Sequence, residues 1–486
     1  MRFIASGHIN FIFALYLLTL GIAGGNIFHD ADSAWHLATG DLIRSLGTVP
    51  FKDTWSFTAG DEIWYNLAWI FDLIVSFLFS AGGFNALYLL TVIVFATSLL
   101  LMAKYAMRNG ASPFVIIAMI PLFTFTTMTG FTVRPNMFSV LFTVIVYIIL
   151  QAYRSKPKIE YLAVLPIIML VWVNTHGGFL LAFLLMGLYG FEALLEFNRK
   201  KFRELCIITV FCLLAVLINP YGVEIYYGAY RTLGGEFGKF VDEWQPAKIM
   251  SNFPMAFLVV AGLVCAGIRN NRIKFIDRAL VIIMLVMSLG SVRHIVITGF
   301  LMLPYICICF STYLYESKIG NYMRRKEDYF LGDMEKPDIK ILSLCIVIFA
   351  VIFLGSPLKD DFLKEKPGFP EKSFPRQEAE YIEKNYPNLR FFNEYGLGGY
   401  LDYIWRGRVK VFVDGRANSL YSDDLLIDSL DIPADKGFSA ASEQVITRYK
   451  LDGLIIPNET AAGFALNPKF KAVYRGKVAT VYLINK

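Results

Sequence analysis

Long apolar runs constrain this chain more than any other feature of its sequence. Several stretches of about 18 residues or more are almost wholly apolar, which is the length that an α-helix needs to cross the hydrocarbon core of a bilayer. Charged residues make up 18% of the 486 residues, whereas a soluble chain has roughly 25%. The sequence therefore predicts a polytopic α-helical membrane protein and excludes an ordinary soluble enzyme.

Eleven apolar runs are candidate membrane spans. They are residues 9–28, 84–103, 113–129, 136–153, 159–173, 177–197, 204–219, 255–268, 275–290, 295–314 and 339–356. Residues 65–80 are apolar too, but Asn66 and Asp72 interrupt them and Gly82-Gly83 closes them. We interpret this segment as a helix lying at the membrane interface. If it spans the membrane instead, every later loop changes sides.

With eleven spans, the basic loops all fall on one side of the membrane. They are residues 104–108, 154–158, 199–203, 269–274 and 318–326. The positive-inside rule places that side, and the N-terminus, in the cytoplasm. We therefore expect a multi-pass protein of the inner (plasma) membrane without a cleavable signal. The formal net charge of +6 arises largely in these loops, so it indicates topology and not nucleic-acid binding.

The loops on the other side carry the unusual polar residues. These are Asp30, Asp32, Arg134, Asn174, His176, Asn219, Tyr221, Arg293 and His294. Each has an ordinary explanation when taken alone, because Asn-Pro and Gly-Gly form turns and a lone arginine snorkels to the interface. Five such motifs on one face favour a site, because ionisable groups at membrane depth usually mark one.

The first outer loop, residues 29–83, combines acids with aromatic residues. Trp35, Trp55 and Trp64 lie in it together with His36 and Asp53. A mere connector would favour short polar turn residues. Acids beside interfacial aromatics suit a site that acts on a polar group carried by a lipid.

The chain divides into a membrane domain (residues 1–356), a linker rich in Pro and Lys (357–374) and a C-terminal part (375–486). The last part alternates helix and strand signals, which predicts a small α/β domain with a layered sheet. With eleven spans this domain is extracytoplasmic, on the same side of the membrane as the loops that carry the unusual polar residues. We interpret Asp414-Gly415-Arg416 as a structural turn held by an Asp–Arg pair. Predicted strands cover residues 389–393, 409–414, 453–457, 470–474 and 478–484.

The outer loop of residues 221–252 has two interpretations. Gly234-Gly235 and Gly238 would let it move as a lid over the site. It can equally be a solvated loop containing an interfacial helix.

Transfer of a sugar from a polyprenyl-phosphate carrier fits this combination of features. The donor's phosphate is held at the interface by its own lipid tail and is a good leaving group that needs cations. The acceptor hydroxyl is a poor nucleophile and needs a base, which a carboxylate supplies. Arg134, His176, Arg293 and His294 are candidates to hold the phosphate or the sugar. A single base with a departing phosphate predicts inversion at the anomeric carbon.

Several motifs of the chain resemble a known family. They are DSAWHLATG at residues 32–40, WVNTHGG at 172–178, NPYG at 219–222, NEYGLGGY at 393–400 and DGR at 414–416. Together with the order of the spans, they are similar to integral-membrane GT-C glycosyltransferases such as the aminoarabinose transferases and protein O-mannosyltransferases. They are closer still to a set of bacterial GT-C-like proteins.

The resemblance implies a catalytic aspartate just after the first span, and Asp32 matches that position. Its implied partners are a polyprenyl-phosphate-linked sugar donor, a glycan, lipid or protein acceptor and membrane lipids, with no nucleic acid. The transferred sugar is a hexosyl or a pentosyl group. The expected substrate-binding residues are Asp30, His36, Asp53, Arg134, Asn174, His176, Asn219, Tyr221, Arg293 and His294.

The sequence departs from the family in one respect. Many relatives have a second acid directly after the first, and here that place holds Ser33. A divalent metal therefore stays open as the one possible cofactor, with Asp30 or His36 as the residues that could complete its site.

The alternatives are a transporter or flippase for a lipid-linked glycan, a glycan polymerase or ligase, and an inactive scaffold. A transporter built from internal repeats should show hydropathy symmetry and ionisable residues near mid-span. The polar residues cluster at span ends on one side instead, which favours the enzyme.

Overall fold

The computed structural model describes residues 12–17, 19–20, 27–60, 62–249, 253–267, 273–317, 320–322, 368–432 and 438–485. The predicted span 339–356 and most of the linker lie outside these residues. So do parts of the predicted span 9–28 and of the basic loops 269–274 and 318–326.

Helices form most of the described chain. They are α1 (Ala31–Leu46), α2 (Trp69–Arg108), α3 (Pro113–Thr127), α4 (Asn136–Ser155), α5 (Ile159–Leu162), α6 (Leu165–Val173), α7 (Leu180–Leu195), α8 (Arg199–Val216), α9 (Ile225–Gly234), α10 (Phe253–Gly267), α11 (Phe275–Gly290), α12 (Ile295–Glu316), α13 (Arg376–Asn385), α14 (Tyr395–Trp405), α15 (Asp423–Asp431), α16 (Ala440–Tyr449) and α17 (Asn458–Ala465). The strands are β1 (Phe391–Asn393), β2 (Gly453–Pro457), β3 (Phe470–Arg475) and β4 (Ala479–Ile484).

Five helical segments within the described residues are long and apolar enough to cross a membrane. They are Trp69–Arg108, Pro113–Gly130, Asn136–Ser155, Gly177–Leu195 and Val292–Glu316. Two shorter apolar helices, Ile159–Val173 and Phe253–Ala266, coincide with two further predicted spans. The mostly helical fold with apolar spans agrees with the sequence, whereas the count of eleven spans stays a prediction.

The helix α2 contains a break at the predicted position. Gly82 (φ −151°, ψ 16°) and Gly83 (φ 60°, ψ −150°) have non-helical backbones. The conformation of Gly83 lies in a region that L-residues with a side chain avoid. The predicted end of the apolar segment at Gly82-Gly83 is therefore confirmed, and its placement at the membrane interface stays a prediction.

The chain folds into two compact units. The helical unit comprises Met1–Gly25, Leu89–Val216 and Phe240–Lys366, and the mixed unit comprises Asn26–Tyr88, Leu217–Lys239 and Pro367–Lys486. The mixed unit thus joins the first outer loop to the C-terminal part. The domain boundaries given above stay a prediction.

The mixed unit is built on a four-stranded sheet of order β1-β2-β4-β3. The strand β1 runs parallel to β2, and the other pairs are antiparallel. One face carries a core that includes Leu401, Trp405, Ile455 and Val481. The predicted sheet with helices is therefore present in the C-terminal part.

The predicted strand at residues 409–414 is wrong. This segment makes a single parallel bridge, between Ser56 and Val411. The side chain of Asn393 replaces a backbone ladder: its Nδ2 donates to the carbonyl of Val413 at 2.7 Å, and its Oδ1 accepts from the amide of Phe412 at 2.8 Å. The bridge brings the first outer loop against the C-terminal part.

The glycine-rich start of α14 brings this helix against two backbones at once. A β-carbon at Gly399 would lie 2.6 Å from the carbonyl oxygen of Ala31, and one at Gly398 would lie 2.0 Å from that of Val413. Real β-carbons do not approach other atoms so closely, so only glycine fits at either position. Packing therefore explains the glycine cluster at the start of α14. The close approach of Gly399 to Ala31 positions the start of α1.

Candidate active site

Asp32 lies in the first turn of α1. Its Oδ1 accepts a hydrogen bond from Nε1 of Trp35 at 3.1 Å. Unpaired backbone amides at a helix N-terminus favour negative charge nearby. The fold therefore presents the predicted base at the positive end of a helix, with one oxygen held in place by an indole.

Asp30 is the N-cap residue of the same helix. Its Oδ1 accepts from the backbone amide of Asp32 at 2.9 Å. Aspartate is among the preferred residues at this position because its carboxylate satisfies an amide that the helix leaves unpaired. This contact gives Asp30 a structural role beside the site.

His36 belongs to a buried polar network. Its Nδ1 lies 2.5 Å from Oδ1 of Asp72, the lone acid near the start of α2. Asn66 donates to Oδ2 of Asp72 at 2.7 Å, and its own backbone amide donates to the hydroxyl of Tyr221 at 2.9 Å. The network joins α1, the end of the first outer loop and the turn that follows α8.

Asp53 is fully enclosed. Its Oδ1 accepts from the amide of Trp55 at 3.0 Å and from Nη1 of Arg416 at 2.6 Å. Its Oδ2 accepts from the amide and hydroxyl of Ser56 at 2.9 and 2.6 Å. A carboxylate with both oxygens engaged in the interior orders this loop, and we give it no contact with substrate.

Arg416 pairs with two buried carboxylates. Besides Asp53, it binds Asp414 in a bidentate manner, with Nε 2.8 Å from Oδ1 and Nη2 2.7 Å from Oδ2. The hydroxyl of Tyr421 donates to the same Oδ2 at 2.5 Å. The predicted structural turn held by an Asp–Arg pair is confirmed. Burial opposes ionisation of Asp414, but Arg416 outweighs it and lowers the pKa of that carboxyl.

Trp55 and Trp64 of the first outer loop lie against this guanidinium. Our interpretation of Trp35, Trp55 and Trp64 as interfacial aromatics is wrong, because all three are buried. Trp35, Trp55 and Trp64 are 7%, 3% and 2% exposed. The carbon of the Arg416 guanidinium lies 5.3 Å from the ring of Trp55 and 4.9 Å from that of Trp64. Their faces stabilise a buried cation by cation–π attraction.

Asp402 is a third carboxyl beside this network. It is 1% exposed, and neither of its oxygens has a hydrogen-bond partner among the described residues. Burial and the nearby charge of Asp414 raise the pKa of Asp402 well above its ordinary value. A proton on Asp402 leaves Arg416 with two negative charges to balance instead of three.

In the helical unit, Arg134 forms a bidentate pair with Glu243. Nη1 and Nη2 each lie 2.9 Å from a carboxylate oxygen. Burial raises the pKa of Glu243, but the charges of Arg134 and Arg293 outweigh it and lower that pKa below its usual value. The guanidinium of Arg293 also lies over the ring of Trp244 at 4.1 Å. Both arginines thus contact the segment of residues 242–244, and His294 follows Arg293 in a short 3₁₀ turn.

His176 is held by two contacts to one ring nitrogen. Its Nδ1 accepts from the amide of Gly178 at 3.1 Å and lies 2.7 Å from the hydroxyl of Ser139. The oxygen of Ser139 accepts in turn from Nε1 of Trp172 at 2.7 Å. Because Nδ1 accepts, the proton of the neutral ring is on Nε2. A β-carbon at Gly178 would lie 2.4 Å from the Ser139 hydroxyl, which explains this glycine.

The two predicted asparagines make local contacts to the backbone. Asn174 Nδ2 donates to the carbonyl of Leu170 at 2.8 Å. Asn219 Oδ1 accepts from the amide of Tyr221 at 2.7 Å, and its Nδ2 donates to the carbonyl of Gly222 at 3.0 Å. These are the turn roles that such residues commonly have.

Of the predicted site residues, the mixed unit contains Asp30, Asp32, His36, Asp53, Asn219 and Tyr221. Arg134, Asn174, His176, Arg293 and His294 belong to the helical unit. The convergence of all these residues on one site stays a prediction.

The loop that we considered as a lid is divided between the units. In the mixed unit, Arg231 on α9 donates to the carbonyl of Tyr421 at 3.1 Å, and the amide of Phe237 donates to Asp423 at 3.2 Å. These contacts anchor the first half of the loop, and movement of the rest stays a prediction.

Sequence reasoning did not assign Asp72, Asp402 or Glu243 to any network. The first two share a signal, because each is a single acid inside an otherwise apolar helical segment. Such an acid is buried only with a partner or in its neutral form.

The residues near Asp32 do not fit a metal site. Within the described residues, no group of three or more His, Cys, Asp or Glu side chains is arranged to hold an ion. The two residues that we considered as further ligands are engaged otherwise, Asp30 as a helix cap and His36 with Asp72. We therefore assign no step of the chemistry to a metal.

No protein-family model matches the chain, and no curated protein matches it. Solved structures do. The archaeal oligosaccharyltransferase AglB from Archaeoglobus fulgidus, in complex with an inhibitory peptide and a dolichol-phosphate, is 10% identical with a TM-score of 0.66, over 94% of this chain and 70% of AglB. The A. fulgidus oligosaccharyltransferase tethered to an acceptor peptide containing the NVT sequon is 10% identical with a TM-score of 0.61. This match covers 99% of this chain and 74% of the oligosaccharyltransferase.

ArnT from Cupriavidus metallidurans, bound to undecaprenyl phosphate, also matches. It is 12% identical with a TM-score of 0.54, and the match covers 96% of each chain. AglB and ArnT are both GT-C superfamily membrane glycosyltransferases. At this level of identity the similarity concerns the fold.

We predict that Asp402→Asn stabilises the protein increasingly as the pH rises. Because burial raises the pKa of Asp402, the folded chain keeps its proton to a higher pH than the unfolded chain, which releases it above about pH 4. Wild type thus loses up to about 1.4 kcal/mol of unfolding free energy per pH unit until the folded carboxyl also ionises, and the amide removes this loss. Thermal unfolding of the full chain in detergent from pH 5 to 9, followed by tryptophan fluorescence, measures the effect.

The matched control is Asp424→Asn, which removes an exposed carboxylate of the same part of the chain. Its Tm should follow wild type at every pH. A Tm difference between Asp402→Asn and wild type that is constant over the pH range would contradict a neutral Asp402.

Proposed function

We propose that this chain, which has the GT-C fold of those neighbours, transfers a sugar from a polyprenyl-phosphate donor to an acceptor at the outer face of the membrane. Two of the neighbours were solved with a polyprenyl phosphate, dolichol-phosphate in AglB and undecaprenyl phosphate in ArnT, which supports a donor of the same chemical class. The apolar helices of the chain suit a donor that is anchored in a bilayer.

The observation that carries the proposal is the position of Asp32. It stands in the first turn of α1, directly after the first predicted span, with its carboxylate oriented by Trp35. A positioned carboxylate is what an acceptor hydroxyl requires, because the hydroxyl is a poor nucleophile until its proton is removed.

The reaction is a single displacement. Asp32 takes the proton of the acceptor hydroxyl while the oxygen of that hydroxyl forms a bond to the anomeric carbon. The bond between that carbon and the phosphate oxygen breaks, and the polyprenyl phosphate leaves with the electron pair. One displacement inverts the configuration at the anomeric carbon. Mass spectrometry of surface glycans would identify the sugar (hexosyl or pentosyl) and the acceptor (glycan, lipid or protein). The measurement compares a strain that lacks the protein with its parent.

We predict that Asp32→Asn lowers kcat for sugar transfer by about 10²- to 10⁴-fold, the usual contribution of a general base. The amide preserves the shape of the side chain and can still accept from Trp35, so the protein should remain folded. Transfer is measured in detergent, with a lipid extract from the deletion strain as the source of donor. Glu62→Gln removes an exposed carboxylate of the same loop and should keep full activity. Full transfer activity in Asp32→Asn would contradict the assignment of Asp32 as the general base.

The same assay separates the enzyme from a flippase or transporter. A carrier moves its cargo across a bilayer and catalyses no transfer in detergent solution. A wild-type protein that binds the donor but forms no new glycosidic bond under any tested acceptor would favour the carrier.

In the helical unit, we assign the phosphate of the donor to Arg134 and Arg293. Guanidinium groups bind phosphate and carboxylate with the same forked geometry. Glu243 now takes the place on Arg134 that the phosphate would occupy. The pair is partly exposed, with 21% of the Arg134 side chain and 38% of the Glu243 side chain accessible, so an anionic ligand can exchange with it at small cost.

We predict opposite effects from the two halves of this pair. Arg134→Gln removes a charge-assisted contact and should raise KM for the donor at least about tenfold. Glu243→Gln removes the competing anion and should lower that KM by up to about fivefold, since a partly exposed pair contributes at most about 1 kcal/mol. Steady-state kinetics with dilutions of the lipid extract measures both. An equal rise in KM for the two variants would mean that the pair is purely structural.

We place the protein in the inner membrane with the C-terminal part outside. The distribution of basic loops supports this orientation. It predicts that a membrane-impermeant maleimide labels Ser422→Cys in intact cells, and labels Lys156→Cys only after permeabilisation. Both positions are exposed. The exposed native Cys206 is first replaced by Ser to remove background. Labelling with the reverse sidedness would contradict the orientation.

A further inference from the structure

The backbone of Gly415 lies directly against the carboxylate of Asp32. A β-carbon at position 415 would lie 2.1 Å from Oδ1 of Asp32 and 2.7 Å from Nε1 of Trp35. Both distances are far shorter than a van der Waals contact. The carboxylate therefore occupies the space that any other residue at position 415 would fill with its side chain.

The same oxygen has a second fixed neighbour. Nε1 of Trp35 donates to Oδ1 at 3.1 Å, and the indole cannot turn away easily, because it is 7% exposed and stacked on the ring of His36 at 3.6 Å. His36 is fixed in turn by Asp72. Oδ1 of Asp32 is thus bounded both by a fixed indole and by a main-chain turn.

The turn is fixed as firmly as the indole. Gly415 stands between Asp414 and Arg416, whose side chains form the bidentate pair. Arg416 also binds Asp53, and all three side chains are at most 1% exposed. A buried ion pair of this kind cannot open without leaving a charge unpaired in the interior. The position of Gly415 is therefore set by the C-terminal part of the chain.

We propose that Gly415 is a positioning residue for the catalytic base, an inference that rests on the function proposed above for Asp32. Because Gly415 has no side chain, Oδ1 of Asp32 can lie against it. The main chain of Gly415 then limits the rotation of that carboxylate. The Asp414-Gly415-Arg416 turn thus forms one wall of the site, although it follows Asp32 by more than 380 residues in the sequence. The C-terminal part is a component of the active site and not an appendage.

Gly415→Ala tests this role. The added methyl group must displace the carboxylate, and a displacement of about 1 Å at a reacting group can cost about 100-fold in rate. We expect kcat to fall by about that factor in the detergent assay, with the lipid extract of the deletion strain as donor. KM for the donor should change less than twofold, because the substitution touches no residue assigned to the phosphate.

The matched control is Gly396→Ala. This glycine is in α14, in the same part of the chain, and a β-carbon there meets nothing within 4 Å. Alanine also suits a helix better than glycine does. Gly396→Ala should therefore keep the wild-type kcat and KM.

A second variant covers the case in which Gly415→Ala does not fold. Trp35→Phe keeps a buried aromatic ring but removes the N–H that donates to Oδ1 of Asp32. We expect kcat to fall about tenfold with KM unchanged, because the variant removes one hydrogen bond to the charged base.

The outcomes separate this inference from the proposed function. If Asp32→Asn loses activity while folded Gly415→Ala and Trp35→Phe keep kcat within twofold, the positioning role is overturned and the base remains. If Asp32→Asn keeps full activity, the proposed function itself fails. A rise in KM with unchanged kcat in Gly415→Ala would also overturn the inference, because it would indicate a binding role.

Discussion

The pairing of buried Arg416 with Asp53 and Asp414 is the interaction on which the mixed unit depends. Each ion loses its hydration on burial, and the loss is offset only when the charges meet in good geometry with the remaining hydrogen bonds made. Here both carboxylates are satisfied, by Arg416 and by amides and hydroxyls of their own turns. Removing the cation alone would leave two unpaired charges, a change that typically costs about 3–5 kcal/mol. The neutral form of Asp402 belongs to the same balance, since one guanidinium cannot compensate three carboxylates.

This pairing also decides where the candidate base stands. Asp53 comes from the first outer loop and Arg416 from the C-terminal part, so the ion pair fastens these two segments together. Gly398 and Gly399 then allow α14 to approach Val413 on one side and the start of α1 on the other. The carboxylate of Asp32 is placed as a consequence. The contacts that stabilise the unit are thus the contacts that orient the proposed chemistry, and a substitution among them is expected to affect stability and kcat together.

Much of this could be predicted from periodicity and local chemistry. Apolar runs predicted the helical class, Gly82-Gly83 predicted the break in α2, and alternating helix and strand signals predicted the sheet of the C-terminal part. The segment 409–414 was predicted as a strand because it is apolar and β-branched, but the side chain of Asn393 satisfies its backbone groups instead of a ladder. The tryptophans were predicted at the membrane interface because tryptophan is enriched there. The packing of Trp55 and Trp64 against Arg416 instead depends on a partner about 350 to 360 residues away. Pairings over such distances leave no periodic trace in one sequence.

Burial distinguishes two of the arginine–carboxylate pairs among the described residues, those of Arg416 and of Arg134, in a way that sequence could not. Arg416 and its partners are almost completely inaccessible, so no ligand can replace either carboxylate without opening the core. Arg134 and Glu243 make an equally regular bidentate contact, yet both side chains remain partly accessible to solvent. Water screens such a pair, and its contribution to stability is small. The same bidentate geometry therefore has a different role in each pair. The buried pair is a fixed part of the scaffold, whereas in the proposed function the partly accessible pair keeps the guanidinium of Arg134 ordered until the donor phosphate replaces Glu243.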